Sequence, residues 1–298
     1  MSTQQLVGAH VSAAGGYEKA VERAAAIGAN CVQLFSGSPR VWRRPELAKI
    51  DANKVFSFQD KLSVETIFTH SIYLLNMCSE NPESVRKTRE VLEFDLSFDA
   101  LLKGHGVVVH VGSHQGRGWE AVREQVVREI ATVIEATPES STFIIENSAG
   151  QQGKVLSDLA EIRWVLDQLQ SQRVKWCFDT CHGHAAGYAL GQHAPAVTEP
   201  KLMEKPQRDF TATEEIERLH LEEELACIHV NDSRDPYISG RDRHDNIGDG
   251  TIGAENLGYF LNHKVIKGIP LITEVPGLNN EGPDLENMQR IKGLLKHS

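Results

Sequence analysis

The stretch Cys177-Phe178-Asp179-Thr180-Cys181-His182-Gly183-His184 sets a carboxylate, two imidazoles and two thiols at the end of one short apolar segment. Other apolar segments close in the same way, on His10, His70, His110, Glu146, His229 and Glu274, and a charged stretch adds Asp242-Arg243-His244. A lone imidazole at a strand end is most often a satisfied structural histidine. Many imidazoles and carboxylates on one rim are another matter, because without partners they would be costly to bury together. Imidazole and carboxylate without thiolate is the donor set of catalytic zinc or manganese, whereas structural zinc favours cysteine in a closed shell. His70, His110, Glu146, Asp179, His182, His229, Asp242, His244 and Glu274 are too many for one ion. At about three protein ligands per ion, with a position left for water, they suit two or three metals that share a carboxylate. Four carboxylates set against three divalent ions leave the site positive, so its natural guest is an anion such as phosphate.

These residues need a scaffold that delivers strand ends to one place. Leu6–Val11, Cys31–Phe35, Thr66–His70, Gly106–His110, Phe143–Glu146, Val174–Asp179, Leu225–Val230 and Ile269–Glu274 read as strands, and the β-branched run in Gly106–His110 as one buried on both faces. Helical segments follow them at Tyr17–Ala26, Pro45–Leu62, Pro82–Lys103, Trp119–Ala136, Leu156–Leu169, Thr213–Glu224, Ala254–Asn262 and Pro283–Leu295. Gly183–Ala212 and Asn231–Gly250 are expected to be loops, and loops this long are commonly functional. Eight alternations with no break in composition predict an α/β chain folded as a single (β/α)8 TIM barrel over residues 1–298. The metal residues then fall at the C-terminal ends of the strands, where active sites of this architecture lie. A doubly wound open sheet is the rival.

With 41 acidic and 31 basic residues the formal charge is -10, which argues against a basic nucleic-acid coat and against anionic membranes, bound metal aside. Met1-Ser2-Thr3-Gln4-Gln5 lacks the basic and apolar regions of a signal peptide, and no apolar run approaches the roughly 20 residues of a membrane span. A cytoplasmic protein is expected, a monomer without an obligate protein partner. Cys31, Cys78, Cys177, Cys181 and Cys227 are an odd set that reads as reduced thiols, with Cys177 and Cys181 as packing rather than a zinc or redox pair.

Six motifs are more specific: Gly8-Ala9-His10-Val11-Ser12, Glu146-Asn147-Ser148-Ala149-Gly150, Asp179-Thr180-Cys181-His182, His229-Val230-Asn231-Asp232-Ser233, Asp242-Arg243-His244-Asp245-Asn246-Ile247-Gly248 and Thr273-Glu274. Through them the chain, over essentially its whole length, resembles the endonuclease IV family of apurinic/apyrimidinic endonucleases, of deoxyribonuclease IV type. The resemblance implies a three-zinc barrel enzyme of base-excision repair. Such an enzyme cleaves duplex DNA on the 5′ side of an abasic site, leaves a 3′ hydroxyl and a 5′ deoxyribose phosphate, and trims blocked 3′ ends. Carried over by position, it places His70, His110 and Glu146 on one zinc, Glu146, Asp179, His229 and Glu274 on a second, and His182, Asp242 and His244 on the third, with manganese possible at one site. Arg40, Tyr73 and Leu74 fall where the family inserts side chains into DNA at the lesion.

The implied mechanism is in-line attack by a hydroxide that bridges the first two metals, held through Glu146 with Glu274 as the second catalytic carboxylate, while the third metal stabilises the departing 3′ oxygen. Its physics is general: coordination lowers the pKa of water, and the ions neutralise charge on attacking and leaving oxygens. An abasic nucleotide has already lost its stacking, so flipping it is cheap.

Val111, Pro39 and the extra residue in Gln151-Gln152-Gly153 depart from the family pattern without removing a ligand, and bear on loop geometry. His184 is expected on the surface or behind the ligands. His114 in Gly112-Ser113-His114 is a candidate for the phosphate backbone or a plain loop histidine. His105, His193, His220, His263 and His297 are expected to be solvated, and Arg86-Lys87-Thr88-Arg89 to be a solvated helix face. A sugar isomerase or epimerase on a related barrel is the enzyme alternative, since fold alone does not fix function. It would use one or two metals with a lysine or carboxylate base, so the trio His182, Asp242 and His244 speaks against it. A barrel that binds damaged DNA without cutting is the non-enzymatic alternative.

Overall fold

The computed structural model describes residues 5–205 and 207–296; Met1–Gln4, read above for a targeting signal, and His297 lie outside them. Strands β1 (Val7–His10), β2 (Cys31–Phe35), β3 (Thr66–His70), β4 (Val107–Val109), β5 (Phe143–Glu146), β6 (Val174–Asp179) and β7 (Leu225–His229) pair in chain order, all parallel. The strand Leu271–Thr273, β10 in chain order, pairs with β7 on one side and β1 on the other and closes the barrel. The (β/α)8 barrel expected from the alternation is therefore the fold found, and closure excludes the open sheet. Outside the strands run α1 (Tyr17–Ala26), α2 (Ala52–Leu62), α3 (Pro82–Leu101), α4 (Trp119–Glu135), α5 (Leu159–Leu169), α6 (Thr180–Ala185), α7 (Pro200–Met203), α8 (Ala212–Arg218), α9 (Gly253–Leu261) and α10 (Leu285–Leu294).

Strand periodicity explains how this frame lifts polar residues to the mouth. Cys31, Phe68, Val108, Ile144, Cys177, Cys227 and Ile272 form one buried cluster inside the barrel. Two positions after each, where alternation returns the side chain to the same face, stand Gln33, His70, His110, Glu146, Asp179, His229 and Glu274. An apolar layer thus carries a polar layer directly above it. In β1 the lower position is Gly8, where a Cβ would come within 2.4 Å of Cys31 Sγ, and His10 is two residues on. The other strand face, including Val32, Leu34, Ile67, Trp176 and Phe178, packs into the larger cluster under the helices.

Caps set the helix boundaries, and they correct several expected ones. Helix α2 begins at Ala52 and not at Pro45, because Asp51 accepts the Lys54 N–H at 3.0 Å; the preceding stretch holds only a 3-10 turn at Leu47–Lys49. Helix α5 begins at Leu159 rather than Leu156, whose φ of 64° is incompatible with a right-handed helix. Helix α8 starts from the capping box of Thr211 and Glu214 and ends at Arg218, short of the expected Glu224, before His220 turns left-handed at φ 51°. Gly183–Ala212 is not all loop, since it contains the second half of α6 and the short α7.

Asn231–Gly250 likewise holds two short antiparallel strands, β8 (Asp232–Ser233) and β9 (His244–Asp245), with Ser233 opposite His244. Asp232 anchors this hairpin by accepting the N–H groups of Gly248 (3.0 Å) and Ile252 (2.9 Å). The pairing folds Asp242 and His244 back over the barrel mouth. Among the described residues no helix is long and apolar enough to cross a membrane.

Candidate metal centre

Glu146, at the end of β5, is the hub. Its Oε2 lies 3.3 Å from His70 Nε2 and 3.2 Å from His110 Nε2, and its Oε1 lies 3.1 Å from His229 Nδ1 and 3.3 Å from His182 Nδ1. The structure gathers three sets of donors, each with all its ligand atoms within 4.8 Å of one another: His70, His110 and Glu146; Glu146, Asp179, His229 and Glu274; and His182, Asp242 and His244. Glu146 belongs to two of them. Asp179 and His229 sit opposite each other in the β6–β7 register, which is why strand neighbours supply one group.

Four of the five imidazoles in these groups commit a proton away from the centre. His70 Nδ1–H donates to Ser71 O at 2.6 Å, His182 Nδ1–H to Asn147 O at 3.0 Å, His229 Nε2–H to Gln33 Oε1 at 2.9 Å, and His244 Nδ1–H to Glu274 O at 3.4 Å. Carbonyl oxygens only accept, so in the neutral ring the other nitrogen presents a lone pair to the carboxylates. His182 Nε2 is 3.0 Å from Asp242 Oδ1, and His244 Nε2 is 3.5 Å from the same oxygen. Yet both nitrogens, buried, have no hydrogen-bond partner, and neither has His110 Nδ1. Lone pairs aimed at carboxylate oxygens repel unless a cation lies between them. Outward hydrogen bonds of this kind are what orient histidine ligands on a metal, so the donor set fits divalent ions.

The electrostatics agree. Burial disfavours charge on His229, but the Glu274 and Glu146 carboxylates outweigh it and push its pKa up to about 10. For His182, burial is likewise outweighed by Asp179 and Asp242, and its pKa is raised well above the usual imidazole range. Glu146, although buried, is held well below the ordinary carboxylate range by His110 and His229. Without metal, protons occupy the place of positive charge that four clustered carboxylates demand. Lys154 adds a fixed cation, 3.4 Å from Asp242 Oδ2.

Several supporting residues escaped the sequence reading. Asp179 Oδ1 accepts the His182 N–H at 2.8 Å, so the carboxylate is also the N-cap of α6, while its Oδ2 accepts Asn231 Nδ2–H at 2.7 Å. Asn231 Oδ1 in turn accepts the Glu274 N–H at 2.8 Å, and Asn147 Oδ1 the Asp179 N–H at 2.6 Å. The one available signal was the asparagine closely following a ligand in the Glu146 and His229 motifs. Lys154 lies in the loop with the extra residue, and Gln151 Oε1 of that loop accepts the Asp242 N–H at 3.1 Å.

His184 is a correction to the surface alternative: it is buried, and its Nε2–H donates to Thr251 Oγ1 at 3.1 Å, away from the metal donors. His114 Nδ1 accepts the N–H groups of Gly116 (3.0 Å) and Gly118 (3.2 Å), which organises its own loop. His105 is exposed yet rests its ring on Phe68, with centroids 4.8 Å apart. All five cysteines are free and buried. Cys177 and Cys227 with His229, and Cys181 with Asp179 and His244, also fall within donor distance. Burial raises the Cys177 pKa well above its usual value and pushes that of Cys181 up to about 12, so both remain thiols at neutral pH.

On the rim after β2 and β3, Arg40 is exposed, Tyr73 is 63% and Leu74 40% exposed, and the Tyr73 ring leans on Phe35 with centroids 5.6 Å apart. Beneath these loops Asp95 of α3 accepts Ser36 Oγ–H at 2.5 Å and Ser71 Oγ–H at 2.6 Å, tying one to the other. Burial pushes the Asp95 carboxyl up to about 6. With the folded pKa above the unfolded one, its contribution is most favourable below pH ~4 and is lost as pH rises to about 6, by roughly 3 kcal/mol. Asp95→Asn is therefore expected to gain stability relative to the parent protein between pH 4 and 7, read from urea unfolding at each pH; parallel curves would refute this.

A family model described as xylose isomerase-like TIM barrel matches residues 21–294. The probable endonuclease 4 of Haloquadratum walsbyi is 33% identical over 295 residues, covering 98% of this chain and 99% of that protein. The probable endonuclease 4 of Halothermothrix orenii is 32% identical, covering 94% and 96%. The crystal structure of endonuclease IV from Thermus thermophilus matches with a TM-score of 0.80 and 26% identity, over 97% of this chain and 98% of that one. A D-tagatose 3-epimerase-like protein, at 17% identity and a TM-score of 0.71, shares the fold alone. With about a third of its residues identical to such relatives from end to end, on the same closed barrel, the chain belongs to the endonuclease IV family of xylose isomerase-like TIM barrels.

Proposed function

We propose that this chain is a metal-dependent endonuclease of DNA repair that hydrolyses duplex DNA on the 5′ side of an abasic site, leaving a 3′ hydroxyl and a 5′ deoxyribose phosphate, and that the same centre trims blocked 3′ ends. It acts inside the cell as a monomer. The observation that carries the reading is the third donor group, His182, Asp242 and His244, standing beside the two that share Glu146. A sugar epimerase on this barrel has no use for that trio. Three divalent ions, zinc with manganese possible at one site, would lower the pKa of a water and neutralise charge on the attacking and leaving oxygens.

The remaining roles belong to the chain. Glu146 spans the first two donor groups, and Glu274, braced by Gln33 Nε2–H at 2.6 Å, completes the second with Asp179 and His229. Lys154 offers an ammonium to a phosphate at the third. Arg40, Tyr73 and Leu74 enter the duplex at the lesion, where lost stacking makes room for them, and His114 lies on the loop that meets the backbone.

The test is incision of an end-labelled duplex with one abasic site by the purified protein. Cleavage on the 5′ side, giving a primer that a polymerase extends directly, is expected; no nicking with zinc or manganese supplied defeats the proposal. Tyr73→Ala is expected to lower kcat/KM on this substrate roughly 5- to 150-fold, as befits one aromatic–base contact of about 1–3 kcal/mol. Arg40→Ala should chiefly weaken duplex binding, measured by fluorescence anisotropy, with metal content unchanged in both variants.

A further inference from the structure

We infer that Gln33 is a positioning residue which selects the tautomer of His229 and fixes Glu274, and so shapes the second donor group for its ion; this rests on the metal-dependent reading above. Gln33 interrupts the apolar run of β2, is fully buried, and sits in register with His10. Its Nε2 is 2.6 Å from Glu274 Oε1 and 3.0 Å from His10 Nδ1, and its Oε1 is 2.9 Å from His229 Nε2.

The orientation of the amide is forced. An ionised Glu274 has no proton to give, so the NH2 group must face it, and the amide oxygen is left facing His229. An oxygen that only accepts requires the His229 proton on Nε2. Nδ1 is then free of its proton in the neutral ring, and it is the nitrogen that lies 3.1 Å from Glu146 Oε1, 3.5 Å from Glu274 Oε2 and 3.9 Å from Asp179 Oδ2. One side chain therefore sets two members of the same group, from a strand that contributes no ligand of its own. A hydrocarbon at position 33 would leave His229 Nε2 and Glu274 Oε1 buried without these partners and remove the preference between ring nitrogens.

The experiment uses full-length zinc-loaded protein, parent against Gln33→Leu and Gln33→Glu. Zinc is measured by elemental analysis after equilibration against a graded chelator series, and the His229 ring nitrogens are followed by 15N NMR. Removal of an outer hydrogen bond to a ligand typically costs about 10- to 100-fold in metal affinity. Gln33→Leu is expected to release one ion at that much lower chelator strength while the others stay, with an altered His229 nitrogen signature and unchanged circular dichroism. Gln33→Glu keeps an acceptor for His229 but repels Glu274, so it should weaken the same ion while preserving the His229 signature. Retention of all ions at parental affinity by Gln33→Leu, or their simultaneous loss, overturns the inference. A parent protein that takes up no divalent ion defeats the metal reading instead; Gln33→Leu must still shift the His229 Nε2 signal, whose proton loses its acceptor whether or not Nδ1 is protonated, and an unchanged Nε2 signal would then sink the Gln33 role independently.

Discussion

Glu146→Gln is expected to lower kcat for abasic-site incision by well over 100-fold, with little change in duplex affinity. Loss of an outer-shell partner typically costs about 10- to 100-fold, and Glu146 is more than that: it is the one carboxylate common to two donor groups. Its two oxygens divide the work, Oε2 facing His70 and His110 and Oε1 facing His229 and His182. An amide keeps one oxygen and turns an NH2 toward the other pair of rings, so it cannot serve both groups. The rim residues proposed to meet the duplex, Arg40, Tyr73 and Leu74, are untouched by the change, which is why affinity should persist. Single-turnover incision, anisotropy and zinc content together check this, and full turnover would remove Glu146 from its shared role.

Chelation is expected to abolish incision altogether and zinc or manganese to restore it, with three ions per chain in the loaded protein. The metal-free centre should also hold protons at neutral pH. His229, pushed up to about 10, and His182, raised well above its usual range, are then charged. Ligand nitrogens must lose those protons to bind an ion. Adding zinc to stripped protein at pH 7 should therefore release protons, visible as a binding enthalpy that varies with the ionisation enthalpy of the buffer. As pH falls, protons compete more strongly and the ions should be lost. A single ion per chain, together with turnover of a ketose, would favour the sugar-epimerase alternative; zinc uptake without proton release would contradict the tautomers and charges described for the centre.

Legibility differed from residue to residue. His70, Glu146, Asp179 and His229 could be read directly, because each closes an apolar strand, and a barrel sends every strand end to one mouth. Asp242 and His244 could be read as donors in a charged loop, but not placed, since only the pairing of Ser233 with His244 folds that loop back over the mouth. His184 shows the limit of reading neighbours along a chain. It stands two residues from His182, but on the helix α6 two residues are about 200° apart, so one ring meets Asp242 and the other Thr251.

Helix starts at Pro45 and Leu156 were misplaced because a capping bond and a left-handed residue, not apolar periodicity, decide where a helix begins. Local periodicity and strand alternation already dictate the barrel, the polar layer two residues above an apolar one, and the types of donor in the mouth. The folded barrel adds which donors share an oxygen, which ring nitrogens face hydrogen-bond acceptors, and the support of the site by Gln33, Asn231 and Asp95. Those depend on hydrogen bonds between residues far apart in the chain, such as Gln33 and Glu274, and such contacts exist only once the barrel has closed.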